Sequence, residues 1–156
     1  MYEYKDFEGE PVCEFSYSTE DLLERVKMET AYMAITIKTQ DGVPLVDDYA
    51  VTQDEEDIIT AYIKDVAREL ANREFAKLCR KPYEYDGNEF CFRAGAVPEA
   101  EGREQPVDDD VVNFLMAGAV LKWCELKQLA NQIQIYAKRK QESMQSLHKS
   151  LFEFRL

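Results

Sequence analysis

The chain has 156 residues, with 31 acidic against 19 basic side chains and a net charge of −12, a size that suits one domain with a modest core. The charge argues against a nucleic-acid reader, which needs clustered Lys and Arg, and against a surface that binds anionic lipid. No apolar run approaches the roughly 18 residues of a membrane span, and the acidic opening MYEYKDFEGEP lacks a signal-peptide apolar region, so the expectation is a soluble protein made in the cytoplasm.

Residues 11–17, PVCEFSY, alternate enough for a short N-terminal strand or an ordered arm. Ser18 then offers a helix cap, with Glu20 and Asp21 in the first turn, and Leu22, Val26 and Met33 fall near one helical face beside Leu23 and Thr30. The pattern predicts a helix from about Thr19 to about Ile35, with a strand as the alternative over the β-branched ITIKT. Asp41-Gly42 and Pro44 turn the chain, and 40–51 reads as a loop.

Residues 52–59, TQDEEDII, place four acids in a row. Thr52 and Glu55 have the spacing of a capping box, and carboxylates in a first turn are favoured by unpaired backbone N–H groups and the helix dipole. A metal site would need carboxylates converging from separate segments, whereas neighbours on one turn point apart. Ile58, Ile59, Tyr62, Ile63, Val66, Leu70 and Ala71 make a broad apolar stripe, so a helix is expected from about Asp54 to about Cys79. Pro82 ends it. In YEYDGNEFCFR, Tyr83 and Tyr85, the turn Asp86-Gly87-Asn88, then Phe90 and Phe92 predict a hairpin over 83–93, which must lean on helices or on another chain. Residues 94–107 are rich in Pro, Gly and Glu and read as a mobile surface loop.

Asp108, Asp109 and Asp110 repeat the helix-start pattern. The helix after them is apolar nearly all round, from Val111 to Leu126, and should be central, with Ala117-Gly118-Ala119 allowing a close neighbour and Trp123 in the core. From Gln128 a narrower apolar stripe under Gln, Lys and Ser predicts a polar C-terminal helix over 129–156, either continuous with its predecessor or bent near Ala130-Asn131. The fold class expected is all-α: a single domain spanning 1–156, a bundle of three to four helices with a small β-hairpin or strand element.

Cys13, Cys79, Cys91 and Cys124 form no CxxC pair and are expected to be free thiols. His148 is the only histidine, which leaves little for a zinc site or a histidine triad. Catalytic and nucleotide-binding motifs are missing from the sequence, so it assigns no catalytic, cofactor-binding or metal-ligating residue. Residues 121–156 carry seven basic and three acidic side chains, a charge of +4 that leaves −16 on residues 1–120. Such a basic tail folds back on its own acidic body, makes no specific pairing, or meets the acidic face of a neighbouring subunit.

The segment order is STEDLLERVKMETAYM, then VTQDEEDIITAYIKDVARELANR, a β loop, VDDDVVNFLMAGAVLKWCELKQL and the polar tail YAKRKQESMQSLHKSLFEFR. Over roughly 15–155 this order resembles the head–tail connector (neck adaptor) proteins of long-tailed bacteriophages and prophages. The resemblance implies a structural virion protein without catalytic residues, forming a homo-oligomeric ring below the portal protein and above the next neck or tail protein. Genomic DNA would pass through the ring without specific binding, an acidic lumen repelling its phosphates. Candidate subunit-interface residues are Tyr83, Tyr85, Phe90 and Phe92 of the hairpin and the basic run Lys138, Arg139 and Lys140. The competing expectation is a cytoplasmic helical adaptor or regulatory protein that works through protein–protein contacts.

Overall fold

A computed structural model describes residues 1–95 and 102–155. Four strands, β1 (Tyr2–Phe7), β2 (Glu10–Ser18), β3 (Tyr83–Tyr85) and β4 (Glu89–Gly95), form one antiparallel sheet in the order β1-β2-β4-β3. Among the described residues five helices accompany it: α1 (Thr19–Thr36), the short α2 (Val46–Tyr49), α3 (Glu56–Leu70), α4 (Glu104–Leu126) and α5 (Ala130–Arg155). The fold is therefore mixed α and β, 63% helical and 18% strand, and the all-α expectation is corrected. The sheet escapes a local reading because its central pair joins distant segments: Cys13 faces Ala94 and Phe15 faces Phe92. The 11–17 strand is one half of an N-terminal hairpin whose other half, YEYKDF, is half polar. Its two-residue turn, Glu8-Gly9, has φ of +52° and +84°, the doubly left-handed geometry that matches strand twist.

Alternation assigns the two sheet faces. Cys13, Phe15 and Tyr17 of β2 and Phe90, Phe92 and Ala94 of β4 are buried under the helices. Phe154 of α5 meets Phe15 with ring centroids 6.1 Å apart, and Phe75 meets Phe92 at 5.2 Å. The opposite face carries a ladder of ion pairs. Arg93 donates from Nε to Glu14 (2.7 Å) and from a terminal nitrogen to Glu84 (2.7 Å), while Lys5 donates to Glu14 at 3.0 Å. The Arg93 guanidinium lies 3.8 Å from the centroid of Phe7, which shelters it.

Helix starts follow the sequence where the signal is local. Ser18 Oγ accepts from the Asp21 N–H at 3.0 Å, and the Glu55 carboxylate accepts from the backbone and hydroxyl of Thr52 at 3.1 and 2.8 Å. A 3₁₀ turn, Gln53–Glu55, leads into α3, and a π turn, Ala71–Phe75, closes it four residues short of the expected Cys79.

The expected loop over 94–107 is also corrected at both ends. Ala94 and Gly95 finish β4, and α4 begins at Glu104; of the loop, 96–101 lie outside the described residues. Pro106 stands in the first turn of α4, where its missing N–H leaves no helical bond unmade. Asp108, Asp109 and Asp110 consequently occupy the second turn rather than the start.

The last two helices are not continuous: the chain breaks between Leu126 and Ala130, next to the bend expected near Ala130-Asn131, and reverses into a tight antiparallel hairpin. Gln128 adopts φ +56°, its N–H donates to Glu125 O, and the Leu129 N–H donates to Cys124 O at 3.0 Å. This is the Schellman closure, with Gln where Gly is usual. α4 is central and buried on most sides. A Cβ built on Gly118 would stand 2.5 Å from a Val66 methyl of α3, so the small-residue stretch does admit a close neighbour. Trp123 is fully buried and its indole N–H donates to Tyr49 O at 2.8 Å, tying α2 to α4.

Candidate functional site

Helix α1 has two apolar faces. Leu22, Val26, Thr30 and Met33, spaced at i, i+4, i+8 and i+11, are buried against the core. Met28, Tyr32 and Ile35, at i, i+4 and i+7, form a second stripe and are 58%, 66% and 49% exposed. α4 is apolar nearly all round, and its neighbours leave Val112 and Met116 only partly covered. Between α1, α4 and α5, Met28, Tyr32, Val112 and Met116 frame an open groove.

The groove consists of two depressions of about 620 and 600 Å³ that share Arg25, Val112 and Asn113. One end reaches Met1 and Glu89 beside the sheet; the other reaches Tyr32 and Tyr136. Along α4 it runs from Gln105 to Ala117, roughly 18 Å or a little over three helical turns. Seven carboxylates line it against two guanidinium groups, Arg25 and Arg139, and the N-terminal amine.

The three consecutive aspartates diverge along this wall. Asp108 accepts from Tyr17 at 2.7 Å and from the Met1 amine at 2.8 Å; Asp109 accepts from Gln105 at 2.8 Å; Asp110 accepts from Ser146 and Ser150, both at 2.9 Å. Among the described residues, no group of three or more His, Cys, Asp and Glu side chains is arranged to hold a metal ion. Glu29 accepts from Tyr136 and, at 3.1 Å, from Arg139. Burial, reinforced by the neighbouring carboxylate, pushes the Tyr17 and Tyr136 hydroxyls well above the ordinary tyrosine range. Both therefore stay protonated at neutral pH and act as hydrogen-bond donors.

The four cysteines are free, Cys13 and Cys124 buried and Cys79 and Cys91 half-buried, as expected. Burial pushes the Cys13 thiol up to about 12 and those of Cys91 and Cys124 up to about 11, which leaves little thiolate. His148 sits apart from the groove, against Glu74 at 3.0 Å. What the groove offers is apolar area beside seven carboxylates, of which Glu29, Asp108, Asp109 and Asp110 accept hydrogen bonds from the chain itself.

The sequence candidates fall elsewhere. Phe90 and Phe92 are fully buried, and Tyr85 and Tyr83 are half-buried against them, with centroids 4.3 and 5.2 Å apart respectively. The cations divide: Arg139 pairs with Glu29 of α1, Lys140 pairs with Glu69 of α3 at 2.9 Å, and Lys138 is exposed beside Glu142. Of the three readings of the basic tail, folding back on its own acidic body is the one seen within this chain. The groove residues Met28, Tyr32, Val112 and Met116 were missed, although Met28, Tyr32 and Ile35 lie off the core face of α1 and carried a readable signal. No protein-family model matches the chain, and comparison with curated proteins and with solved structures returns no match.

Proposed function

We propose that this chain is a structural subunit that works through its contact surfaces, as a head–tail connector of a long-tailed bacteriophage, with copies arranged in a ring below the portal. The observation that carries this reading is the second apolar stripe of α1 beside half-covered Val112 and Met116. An exposed apolar patch of this kind, rimmed by charge, marks a protein-contact surface. The segment order supports the place in the virion. An acidic exterior also suits a channel wall that repels DNA phosphates.

Two measurements test the reading. Deleting the gene from its phage should yield DNA-filled heads without tails, and the purified chain mixed with portal rings should give a fixed stoichiometry by native mass spectrometry. Tailed, infectious particles from the deletion would refute it. Lys138→Glu is the variant to examine for the subunit contact, because Arg139 and Lys140 already serve intrachain pairs.

A further inference from the structure

We infer that the groove between α1, α4 and α5 is a docking site for a cationic amphipathic helix of a partner protein. Three observations converge on this occupant. One depression is lined by Met28, Tyr32, Val112 and Met116 together with three carboxylates and two guanidinium groups, and the other adds Asp21, Glu89, Asp108 and Asp109. Seven carboxylates against three cations give the lining a net charge of −4, so the complementary ligand carries Lys or Arg beside its apolar face. The length, a little over three turns, admits a helical segment of roughly 12 residues presenting anchors at i, i+4 and i+7.

A second copy of this chain fits poorly. It brings a charge of −12, and two of the three cations in its one basic run, Arg139 and Lys140, are engaged by Glu29 and Glu69 of its own body. The inference rests on the reading of the chain as a contact protein and names the partner chemistry of that surface. It does not depend on a place in a virion.

The test uses the full chain labelled with ¹³C at its methionine methyls. Met28 and Met116 line the groove, whereas Met33 is buried in the core and Met144 packs against it elsewhere. Three 18-residue probes are titrated: an amphipathic Leu/Lys helix, a scrambled peptide of the same composition, and an amphipathic Leu/Glu helix. The Leu/Lys helix is expected to shift Met28 and Met116 selectively and to bind at least about tenfold more tightly than either control, with affinity falling as salt rises. The double substitution Met28→Asp/Tyr32→Asp changes two exposed positions and should lower that affinity about tenfold, with the circular dichroism spectrum unchanged.

Equal binding of the scrambled peptide, or preference for the Leu/Glu helix, would overturn the inference. So would Met28 and Met116 shifts that track protein concentration without peptide, because a second copy would then be the occupant. A null peptide result beside intact assembly with portal rings would remove the helix site and leave the connector reading standing; the converse pair of results would do the reverse.

Discussion

Replacing Gly118 by alanine sets two effects of known size against each other. Alanine in place of glycine inside a helix is favourable by about 1 kcal/mol. Here the new methyl would lie 2.5 and 2.9 Å from the two Val66 methyls and 3.3 Å from its Cβ. Val66 is fully buried on α3, and a β-branched side chain in a helix has essentially one χ1 rotamer, so it cannot swing aside. Relief must come from parting α3 and α4, and overpacking of this kind costs about 1–3 kcal/mol. The expected balance is a destabilisation of about 1–2 kcal/mol, taking the upper part of that range because the obstacle is rigid. Val66→Ala alone should cost about 2 kcal/mol through lost burial and a cavity. In the double variant the methyl added at position 118 enters the vacated space, so the two losses should fail to add by about 2 kcal/mol. Urea unfolding followed by circular dichroism and by Trp123 fluorescence measures all four corners of the cycle. A Gly118→Ala protein more stable than its parent, or strict additivity in the double variant, would refute the argument that these helices are held at closest approach.

Other perturbations follow from the same accounting. Gln128→Gly should stabilise the chain by roughly 0.5–1 kcal/mol, since a left-handed non-glycine residue costs more than the chain entropy glycine adds; Gln128→Val should destabilise it, and urea midpoints decide. Arg93→Met should cost about 3 kcal/mol at neutral pH, because it strands the buried Glu14 carboxylate with Lys5 alone. The parent should also lose stability in acid. Burial acts to raise the Glu14 carboxyl, but hydrogen bonds from Arg93 and Lys5 outweigh it and hold the group below its ordinary 4.5. A depressed folded-state value means that this contribution is present above about pH 4.5 and disappears as pH falls through the folded value. Arg93→Met should flatten that acid limb, and an unchanged pH profile of the melting temperature would contradict it.

What could be read from the sequence was what short-range chemistry specifies. The Ser18 cap, the Thr52–Glu55 pairing, the stripe of α3 and the Asp86-Gly87-Asn88 hairpin turn each involve residues within a few positions of one another. The sheet was not legible, because β2 pairs with β4 across more than 70 residues and β1 is a half-polar edge. The reversal after α4 was hidden because a glutamine occupies the left-handed position where glycine would have announced it. The start of α4 was hidden because Pro106 looks like a loop residue, although a first turn accepts it. At the groove, charge drew the reading towards Lys138, Arg139 and Lys140, while the open apolar face of α1 was passed over.

The folded-back tail changes what any assembly of this protein must use. Arg139, Lys140 and Lys127 pair with Glu29, Glu69 and Glu55 of the body, so three of the seven basic side chains of residues 121–156 already hold α5 and its turn against α1 and the two ends of α3. The surface left to neighbours is mainly acidic. A ring of such subunits would bring together copies of net charge −12, so each heterologous contact would have to bury apolar area sufficient to offset the mutual repulsion. The exposed stripe of α1 supplies apolar area, but its acidic rim favours a partner that brings cations of its own. On the proposed reading the groove would face a different protein above or below the ring, and the contacts between copies would lie elsewhere on the molecule.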